Sequence, residues 1–409
     1  MYTFLIKILS PLFVLVLAIE AYKRKGGWHF FKQRLGFGYP ILNTHPIWIH
    51  CASVGEVKAA EPLIKHFAHN HTMLITTNTP TGADLVKRLF GQSVHHVYLP
   101  FDFSSAVGRF LKATQPQVLW VMETELWPNL YRLTAQNHIA ITLINARLSA
   151  KTLKAPKWLQ TAYGQTLQYP QQILARCESE AQRFITLGAR PDQLQILGNL
   201  KYGLLSEQTQ DYPNLSPREY VLLASSHDAE ELNIAQRWLK LQRPECLVIV
   251  PRHPKRSESI QQQLATLKVP FAVHSLKKPL TSETQIYLDD RIGVLMPWFS
   301  HAKLVIMGGA FVPKGGHNVL EPAALGKCIV TGPDMSDFIP ETELLLQANA
   351  LIQCQDYEQL SQTMQSLLQQ PERCEQMGQA AKQVILSQSH IFEDYLKTLQ
   401  KQLRKASSS

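Results

Sequence analysis

The stretch that decides the fold is GGAFVPKGGHNVLEP, residues 308–322. It follows a short apolar run, residues 304–307, which is typical of a buried parallel strand. It precedes residues 323–326, AALG, which are typical of a short helix that ends at a glycine. A Gly-rich turn between a strand and a helix leaves backbone N–H groups uncovered at the helix N-terminus, where a phosphate or carboxylate binds well. Glu321 lies about one turn into this helix, where its carboxylate can accept hydrogen bonds from a ribose diol.

This stretch differs from the fingerprint of dinucleotide-binding proteins. It has no G-x-G-x-x-G, and Glu321 comes too early to be the ribose acid of that fingerprint. The pattern favours a sugar-nucleotide or a nucleoside monophosphate as ligand. The alternative is a Gly-rich loop that binds nothing, since Gly-Gly turns are common.

Strand-like apolar runs alternate with helical spacing along most of the chain, which predicts βαβ units on parallel sheets. The predicted strands are residues 47–51, 73–77, 94–99, 118–122, 139–144, 220–224, 247–250, 271–273, 286–288, 304–307 and 329–331. A polar, turn-rich stretch at 203–218 interrupts the alternation and is predicted to be a linker. The sequence therefore predicts an α/β protein of two doubly wound Rossmann-like domains, residues 35–202 and 219–409, facing a cleft. The second domain is expected to end in helices between about 356 and 405, where apolar residues keep helical spacing.

The cysteine and histidine patterns argue against a disulfide framework and against a metal site. The six cysteines show no C-x-x-C spacing, so they are interpreted as reduced thiols rather than as a disulfide framework or a zinc site. The fifteen histidines include no H-E-x-x-H, and no metal site is predicted.

The net charge of +9 is unevenly placed. Residues 1–200 hold 20 Lys and Arg against 10 Asp and Glu, so the whole excess lies in the first half. This asymmetry favours a large polyanionic partner: membrane headgroups, a phosphorylated lipid or nucleic acid. A merely solubilising charge is the alternative. No nucleic-acid recognition motif is present, so nucleic acid is not expected as a partner.

Residues 1–34 are predicted to be a membrane anchor with a basic and aromatic interfacial segment. An apolar run at 8–19 precedes Lys23-Arg24-Lys25, and Trp28 and Phe31 follow. A cleaved signal peptide would have its charge before the apolar run, which is the reverse of this order. The run is short for a spanning helix. Two arrangements stay open: a helix that spans the bilayer and a helix that lies in the inner leaflet.

Charged side chains follow several predicted strands, where parallel sheets bind their ligands. Glu56 comes after the first strand through a Ser-x-Gly turn, and Glu123 comes directly after the fourth. Arg252 and His253 end a strand in the second half and suit an anion. These positions suggest that the second domain holds an activated donor and that the first supplies a base to an acceptor.

Eight motifs together resemble the 3-deoxy-D-manno-octulosonic acid (Kdo) transferases, in order from about residue 20 to residue 340. They are SVGE (53–56), TNTPTG (77–82), LPFD (99–102), METELWPN (122–129), NARLS (145–149), GNLK (198–201), PRHP (251–254) and the stretch at 308–322. The resemblance implies a two-domain GT-B fold, an inverting transfer and association with the cytoplasmic side of the bacterial inner membrane. It implies Glu56 as general base, with Glu123 and Lys201 as stabilising catalytic residues.

The resemblance also implies a set of residues that bind CMP. They are Arg252, His253, Ile292, Gly293, Gly315, Gly316, Asn318, Val319, Leu320 and Glu321. The family's D-T-M-G-E element corresponds to DRIGV at 290–294, with Val294 where the family has Glu, so a side-chain contact at that position is lost.

The expected function is therefore the transfer of Kdo from CMP-Kdo to lipid A precursor in lipopolysaccharide core biosynthesis. CMP-Kdo is the donor substrate, and no cofactor or metal is implied. Two alternatives remain: a GT-B glycosyltransferase with another nucleotide sugar, because fold does not set the substrate, and a non-catalytic membrane-bound anion or lipid binder.

Overall fold

The computed structural model describes residues 2, 6, 8, 10–23, 26–148, 150–206 and 211–406 of the chain. The chain divides into two compact units. The first unit is Met1–Leu204 with His390–Ser409, and the second unit is Leu205–Ser389.

The first unit is built on a parallel seven-stranded sheet. Its strands are β1 (Ile47–His50), β2 (Met73–Thr77), β3 (His95–Tyr98), β4 (Val118–Met122), β5 (Ala140–Ala146), β6 (Gln172–Ala175) and β7 (Leu194–Ile196). Its helices are α1 (Ser10–Lys23), α2 (Gly27–Arg34), α3 (Val54–Ala68), α4 (Pro80–Phe90), α5 (Ser104–Thr114), α6 (Pro128–Gln136), α7 (Ala150–Leu153), α8 (Lys157–Thr166), α9 (Glu178–Leu187), α10 (Lys201–Ser206, which runs on past the boundary at Leu204) and the terminal α18 (His390–Ala406). The strands lie in the order β3-β2-β1-β4-β5-β6-β7.

Burial explains why these segments form strands. Every residue of β1, β2 and β4 is buried, as expected for parallel strands covered by helices on both faces. Trp48 of β1 packs on Phe110 of α5, and Trp120 of β4 packs on Phe67 of α3, so aromatic side chains fill both faces of the sheet.

The strand order places β1 directly beside β4, with His50 paired to Val121 near their carboxyl ends. The chain reverses its winding direction between these two strands. Such a switch point opens a crevice at the carboxyl ends of the strands, where doubly wound sheets bind ligands.

The second unit repeats this architecture. Its strands are β8 (Tyr220–Ser226), β9 (Cys246–Pro251), β10 (Phe271–Val273), β11 (Ile286–Leu288), β12 (Leu304–Met307), β13 (Ile329–Thr331) and β14 (Leu351–Gln353). Its helices are α11 (Glu230–Lys240), α12 (Ser257–Ala265), α13 (Leu295–His301), α14 (Leu320–Ala324), α15 (Ile339–Gln347), α16 (Tyr357–Gln369) and α17 (Pro371–Ser387). All neighbouring strands are parallel in the order β10-β11-β9-β8-β12-β13-β14, so the switch point lies between β8 and β12.

The two parallel sheets confirm the predicted doubly wound α/β class, but the unit boundaries differ from the predicted ones. The terminal helix α18 belongs to the first unit rather than to the second, because its buried Tyr395 and its Gln402 bond to that unit. The predicted linker also begins inside α10, and residues 207–210 lie outside the described part of the chain. The strands β6, β7 and β14 were not predicted.

The N-terminal helix α1 packs on the first unit through one face. Leu17 and Ala21 form a small core with Phe30 and Tyr98, and Phe13 lies against Phe101. Within the described residues, no helix is both long and apolar enough to cross a bilayer. Arg24 and Lys25 of the predicted interfacial segment lie outside those residues.

Candidate active site

Glu56 is held at the carboxyl end of β1 by the first turn of α3. The Ser53 hydroxyl caps the helix by accepting from the Glu56 N–H and donates to Glu56 Oε1 (2.9 Å), and the Ala52 N–H donates to Oε2 (2.8 Å). These two bonds fix the orientation of the carboxylate. Burial, followed by the negative charge of Glu123, raises the pKa of Glu56 to about 8, although the Ala52 N–H opposes the shift.

Glu123 lies across the switch point from Glu56, directly after β4. Its backbone is in the left-handed region (φ 54°), which costs a non-glycine residue of the order of 1 kcal/mol or more. The Glu123 N–H still donates to Ile144 of β5, and Arg147 approaches the carboxylate at 3.9 Å. Strained backbone of this kind is concentrated at functional sites. The structure thus brings two predicted catalytic carboxylates to the same crevice.

Glu125 is a further acid of this edge that the site prediction left out. The Asn78 amide (3.2 Å) and the Trp127 indole (2.8 Å) donate to its Oε2, and the buried His50 Nε2 lies 3.7 Å away. Burial would raise the pKa of Glu125, but the interaction with His50 and the two donors lowers it. Neighbouring carboxyls with pKa values pushed in opposite directions are typical of acid and base sites, and here Glu56 is the one suited to exchange a proton.

Lys201 begins α10, after β7. The loop before it is held by Asn145 at the end of β5, whose Oδ1 accepts from the Leu200 N–H (3.0 Å). Asn145 also has a left-handed backbone (φ 51°). Lys201 is therefore carried by a loop that is tied to the same edge of the sheet as Glu123.

In the second unit, three histidines meet at the carboxyl ends of β8, β9 and β12. His227 and His317 share a hydrogen bond between their Nε2 atoms (2.9 Å), and the His253 ring lies edge-on to His227. Burial, followed by the charges of His227 and Arg252, lowers the pKa of His317 to about 4. Burial, followed by His253 and then Lys314, also lowers the pKa of His227. Both shifts favour the neutral imidazole, and the Arg252 and Lys314 cations nearby make this surface suited to an anion.

The Gly-rich loop after β12 differs from the prediction of uncovered N–H groups. The buried Glu230 carboxylate accepts from Gly309 (2.7 Å) and Phe311 (3.0 Å), while Asp334 accepts from Gly315 (2.8 Å). The Gly316 N–H donates to the Gly309 carbonyl. These amides are thus bonded within the protein, which contradicts the expectation that the turn leaves its N–H groups uncovered. The binding of CMP at Gly315 and Gly316 stays a prediction.

The glycines serve the packing of this loop instead. Gly315 and Gly316 have left-handed backbones, and a Cβ on them would collide with Asp337 and Met335, respectively. Further along the loop, the N–H groups of Asn318 and Val319 have no hydrogen-bond partner within the described residues. The N–H groups of this loop that remain without a partner among the described residues are therefore those at 318–319.

The remaining predicted donor-binding residues lie at the same edge of the second sheet. Arg252 and His253 follow β9 and are exposed, while Leu320 and Glu321 open α14. Ile292 and Gly293 lie in the loop after β11, with 88% of the Ile292 side chain exposed. Asp289 anchors that loop by bonds to Arg291 and Trp298. The topology therefore gathers the predicted set on one edge.

Three residues of this edge, His227, His317 and Glu230, were absent from the predicted set. His317 stands inside the quoted motif, between Gly316 and Asn318, so its position was a usable signal. Glu230 offered none, because a first-turn glutamate usually complements the helix dipole.

Comparison with known proteins identifies the family. The family model described as 3-deoxy-D-manno-octulosonic-acid transferase (kdotransferase) matches residues 29–204. A 3-deoxy-D-manno-octulosonic acid transferase from Haemophilus influenzae is 32% identical, with 99% of this chain and 98% of the relative covered. A probable mitochondrial transferase of the same description from Arabidopsis thaliana is 31% identical over 93% of this chain and 90% of its own.

A solved structure supports the fold. The UDP-GlcNAc 2-epimerase from Neisseria meningitidis matches with a TM-score of 0.62 and 15% identity, over 87% of this chain and 99% of the epimerase. At this identity the match concerns the fold alone. The family model and the two sequence relatives show that the chain belongs to the 3-deoxy-D-manno-octulosonic acid transferase family and is a Kdo glycosyltransferase.

Proposed function

We propose that this enzyme transfers Kdo from CMP-Kdo to a hydroxyl of lipid A precursor, with inversion at the anomeric carbon, in lipopolysaccharide biosynthesis. The observation that carries the proposal is the Glu56 carboxylate, oriented by Ala52 and Ser53 at the β1/β4 switch point. A positioned carboxylate with a pKa near the working pH is suited to general-base catalysis.

In this mechanism Glu56 removes the proton of the acceptor hydroxyl as the bond from Kdo to the CMP phosphate breaks. The sugar centre becomes oxocarbenium-like in the transition state. Lys201 and Arg147 are cations at the same edge of the sheet as Glu56 and offset the developing negative charge, while Glu123 stabilises the electron-poor sugar. No metal or cofactor is needed for these steps.

The second unit holds CMP in this proposal. Arg252 and Lys314 place positive charge beside His227 and His317, which favours the CMP phosphate, and His253 lies next to His227. The Asn318 and Val319 N–H groups add backbone donors, and Glu321 accepts from the ribose. Gly293 allows the loop after β11 to approach the nucleotide.

The acceptor reaches the site from a membrane surface, on the cytoplasmic side of the bacterial inner membrane. The outer face of α1 exposes Leu12, Leu15 and Ile19, and the adjacent Trp28, 66% exposed, stacks on Phe31. Apolar and aromatic side chains beside lysines are typical of interfacial helices. Because α1 also packs on the first unit, we favour a helix lying in the interface over a spanning one.

The reaction is tested by incubating the purified enzyme with freshly generated CMP-Kdo and tetraacyl lipid A precursor, followed by mass spectrometry of the lipid. Mass increments of Kdo are expected, and their number counts the residues added. Parallel reactions with UDP-sugars test other donors. Transfer from a UDP-sugar with none from CMP-Kdo would contradict the proposed donor.

The role of Glu56 is tested by Glu56→Ala. We expect a normally folded protein with transfer reduced by about 10²–10⁴, the usual contribution of a positioned base. Glu178→Ala, which removes an exposed first-turn glutamate of α9, is the matched control and should keep full activity. Near-full activity in Glu56→Ala would show that another group is the base.

A further inference from the structure

Two histidines at the carboxyl edge of the second sheet, His227 and His317, form a hydrogen-bonded pair. His227 follows β8, His317 lies in the loop after β12, and their Nε2 atoms are 2.9 Å apart. In the neutral pair one Nε2 donates its proton and the other accepts. A further proton can enter on the second nitrogen of the donor ring, and the shared bond then becomes charge-assisted. Two further protons would place two imidazolium ions in direct contact, so the histidine pair titrates as a unit of one proton.

The backbone beneath the histidine pair holds it in place. A Cβ on Gly309 would lie 3.0 Å from the His317 Nε2 and 3.4 Å from the His227 Cδ2, so a glycine here allows both rings to pack on the main chain. The buried Glu230 carboxylate accepts from the His227 N–H (2.8 Å) and from the Gly309 N–H (2.7 Å). One carboxylate therefore fixes both the turn that carries His227 and the backbone on which the pair packs.

Positive side chains lie beside the histidine pair. Arg252 and His253 follow β9, with the His253 ring 5.6 Å from that of His227, and Lys314 lies in the loop after β12. Among the described residues, neither Arg252 nor Lys314 forms an ion pair. These cations are therefore available to an anionic ligand.

The acidic side chains of the surrounding elements are bonded to other groups. Glu231 and Asp228 pair with Arg256, at 2.8 Å and 2.9 Å. Glu230 and Asp334 accept from backbone N–H groups. Burial, followed by the nearby histidines and cations, lowers the pKa of both members of the pair. An anion placed within about 4–6 Å opposes this effect and favours the protonated pair.

We propose that the His227–His317 pair takes up one proton as the CMP phosphate forms, and so offsets the charge of the leaving group. This inference rests on the proposed function, in which the second unit holds CMP. The two histidines are then catalytic residues of the donor side, beside the cations that the proposal already assigns to the phosphate.

The charge of the phosphate gives the reason for the uptake. In CMP-Kdo the phosphate is a diester with one negative charge, whereas CMP is a monoester whose second pKa is about 6. When the bond from Kdo to the phosphate oxygen breaks, its electron pair stays on that oxygen and adds the second negative charge. The proton of the acceptor hydroxyl goes to Glu56, and the proton that the histidine pair takes up comes from solvent. Offsetting a charge that develops only as the bond breaks lowers the barrier to transfer.

The test is a calorimetric titration of the full-length enzyme with CMP at pH 7, in buffers of different ionisation enthalpy. The dependence of the binding heat on that enthalpy gives the number of protons taken up. We expect the wild type to take up between about 0.3 and 1 proton per CMP, since an opposite charge raises a pKa by about 1–3. Cytidine 5′-methylphosphate, a diester with one charge fewer, should cause clearly less uptake.

The double variant His227→Asn/His317→Asn keeps polar side chains at both positions but removes the titrating rings. It should bind CMP more weakly and take up no proton. His317→Asn alone serves if the double variant does not fold, which thermal unfolding shows, and its uptake should be smaller than that of the wild type. His301→Gln is the matched control, because His301 is exposed and precedes the amino end of β12. This control should keep both the affinity and the uptake.

CMP binding without proton uptake in the wild type would overturn the role of the histidine pair and leave the donor site standing. Wild-type uptake in the folded double variant would assign the proton to another group, and equal uptake with the diester would disconnect it from the second phosphate charge. Either result would overturn the proposal. A wild type that does not bind CMP at all would contradict the proposed function itself.

Discussion

At the scale of single residues, the candidate site gives two neighbouring carboxyl groups different pKa values. Glu56 and Glu125 belong to the same edge of the first sheet, yet the pKa of Glu56 is raised to about 8 and that of Glu125 is lowered. The difference arises from partners: Glu125 has His50 and two side-chain donors, whereas Glu56 faces the charge of Glu123. The sequence shows where these acids stand, but not which partner each one meets.

The pH dependence of transfer follows from this arrangement. General-base catalysis needs ionised Glu56, so activity should rise with pH and level off above about pH 8. Glu123→Gln removes a charge that raises the pKa of Glu56, and its residual activity should therefore level off at lower pH than that of the wild type. Rates at saturating substrates, normalised to each variant's plateau between pH 5.5 and 9.5, measure the shift. An unmoved profile in Glu123→Gln would contradict the coupling.

At the scale of elements, the loop between β12 and α14 is held in place by hydrogen bonds to carboxylates of the same unit. Glu230 of α11 accepts from the Gly309 and Phe311 N–H groups, and Asp334 accepts from that of Gly315, so these amides are bonded within the protein. The donors left over, at Asn318 and Val319, come later in the motif than its glycines. The motif alone does not show that these amides are already bonded, because the carboxylates that accept from them lie 19 to 81 residues away along the chain.

Gly316→Ala tests whether the packing of this loop supports nucleotide binding. The new Cβ would collide with the Met335 sulfur, and the alanine would have to adopt a strained left-handed backbone. Overpacking of this kind costs about 1–3 kcal/mol. A displacement of the loop costing about 1.4 kcal/mol in the bound state weakens CMP binding about tenfold, measurable by titration calorimetry.

Gly38→Ala is the matched control for this substitution. Gly38 has the same backbone conformation (φ 74°), but no atom lies within 4 Å of the added Cβ. This variant should therefore lose a little stability through backbone strain and keep its affinity for CMP. Equal CMP affinities in the two variants would show that the contact with Met335 does not position the loop.

At the scale of the whole molecule, the last helix of the chain, α18, returns to the first unit. The α18 side chain of Tyr395 is fully buried, accepts from the Asn145 N–H (3.2 Å) and donates to the Gly198 carbonyl (3.1 Å). Gln402 accepts from the Trp120 indole (2.9 Å). The last helix therefore supports the strand ends and the loop that carry Asn145 and Lys201.

Tyr395→Phe is expected to destabilise the edge of the first sheet that carries Asn145 and the loop before Lys201. It removes one hydroxyl and leaves the buried Asn145 N–H and the half-buried Gly198 carbonyl without that partner, at a cost of about 1–3 kcal/mol. Hydrogen exchange followed by mass spectrometry should show faster exchange in the peptide containing residues 140–146. Tyr22→Phe, at a tyrosine that is 87% exposed, should leave this peptide unchanged. Wild-type protection in Tyr395→Phe would mean that α18 does not stabilise the edge.

The sequence by itself determined the class of fold and the sheet edges at which the candidate site residues lie. Apolar runs alternating with helical spacing define parallel strands, and residues that directly follow such strands, such as Glu56, Glu123 and Arg252, must lie at the carboxyl edge of a sheet. These inferences depend only on local periodicity and chain order, which the sequence records directly.

Only the tertiary structure decided which strands are neighbours and which distant groups meet. The pairing of β1 with β4 brings Glu56 near Glu123, Glu230 occupies the amides of the Gly-rich loop, and α18 returns to the first unit. Such contacts depend on strand order and on competition for hydrogen-bond partners across the whole domain, and neither leaves a local pattern in the sequence.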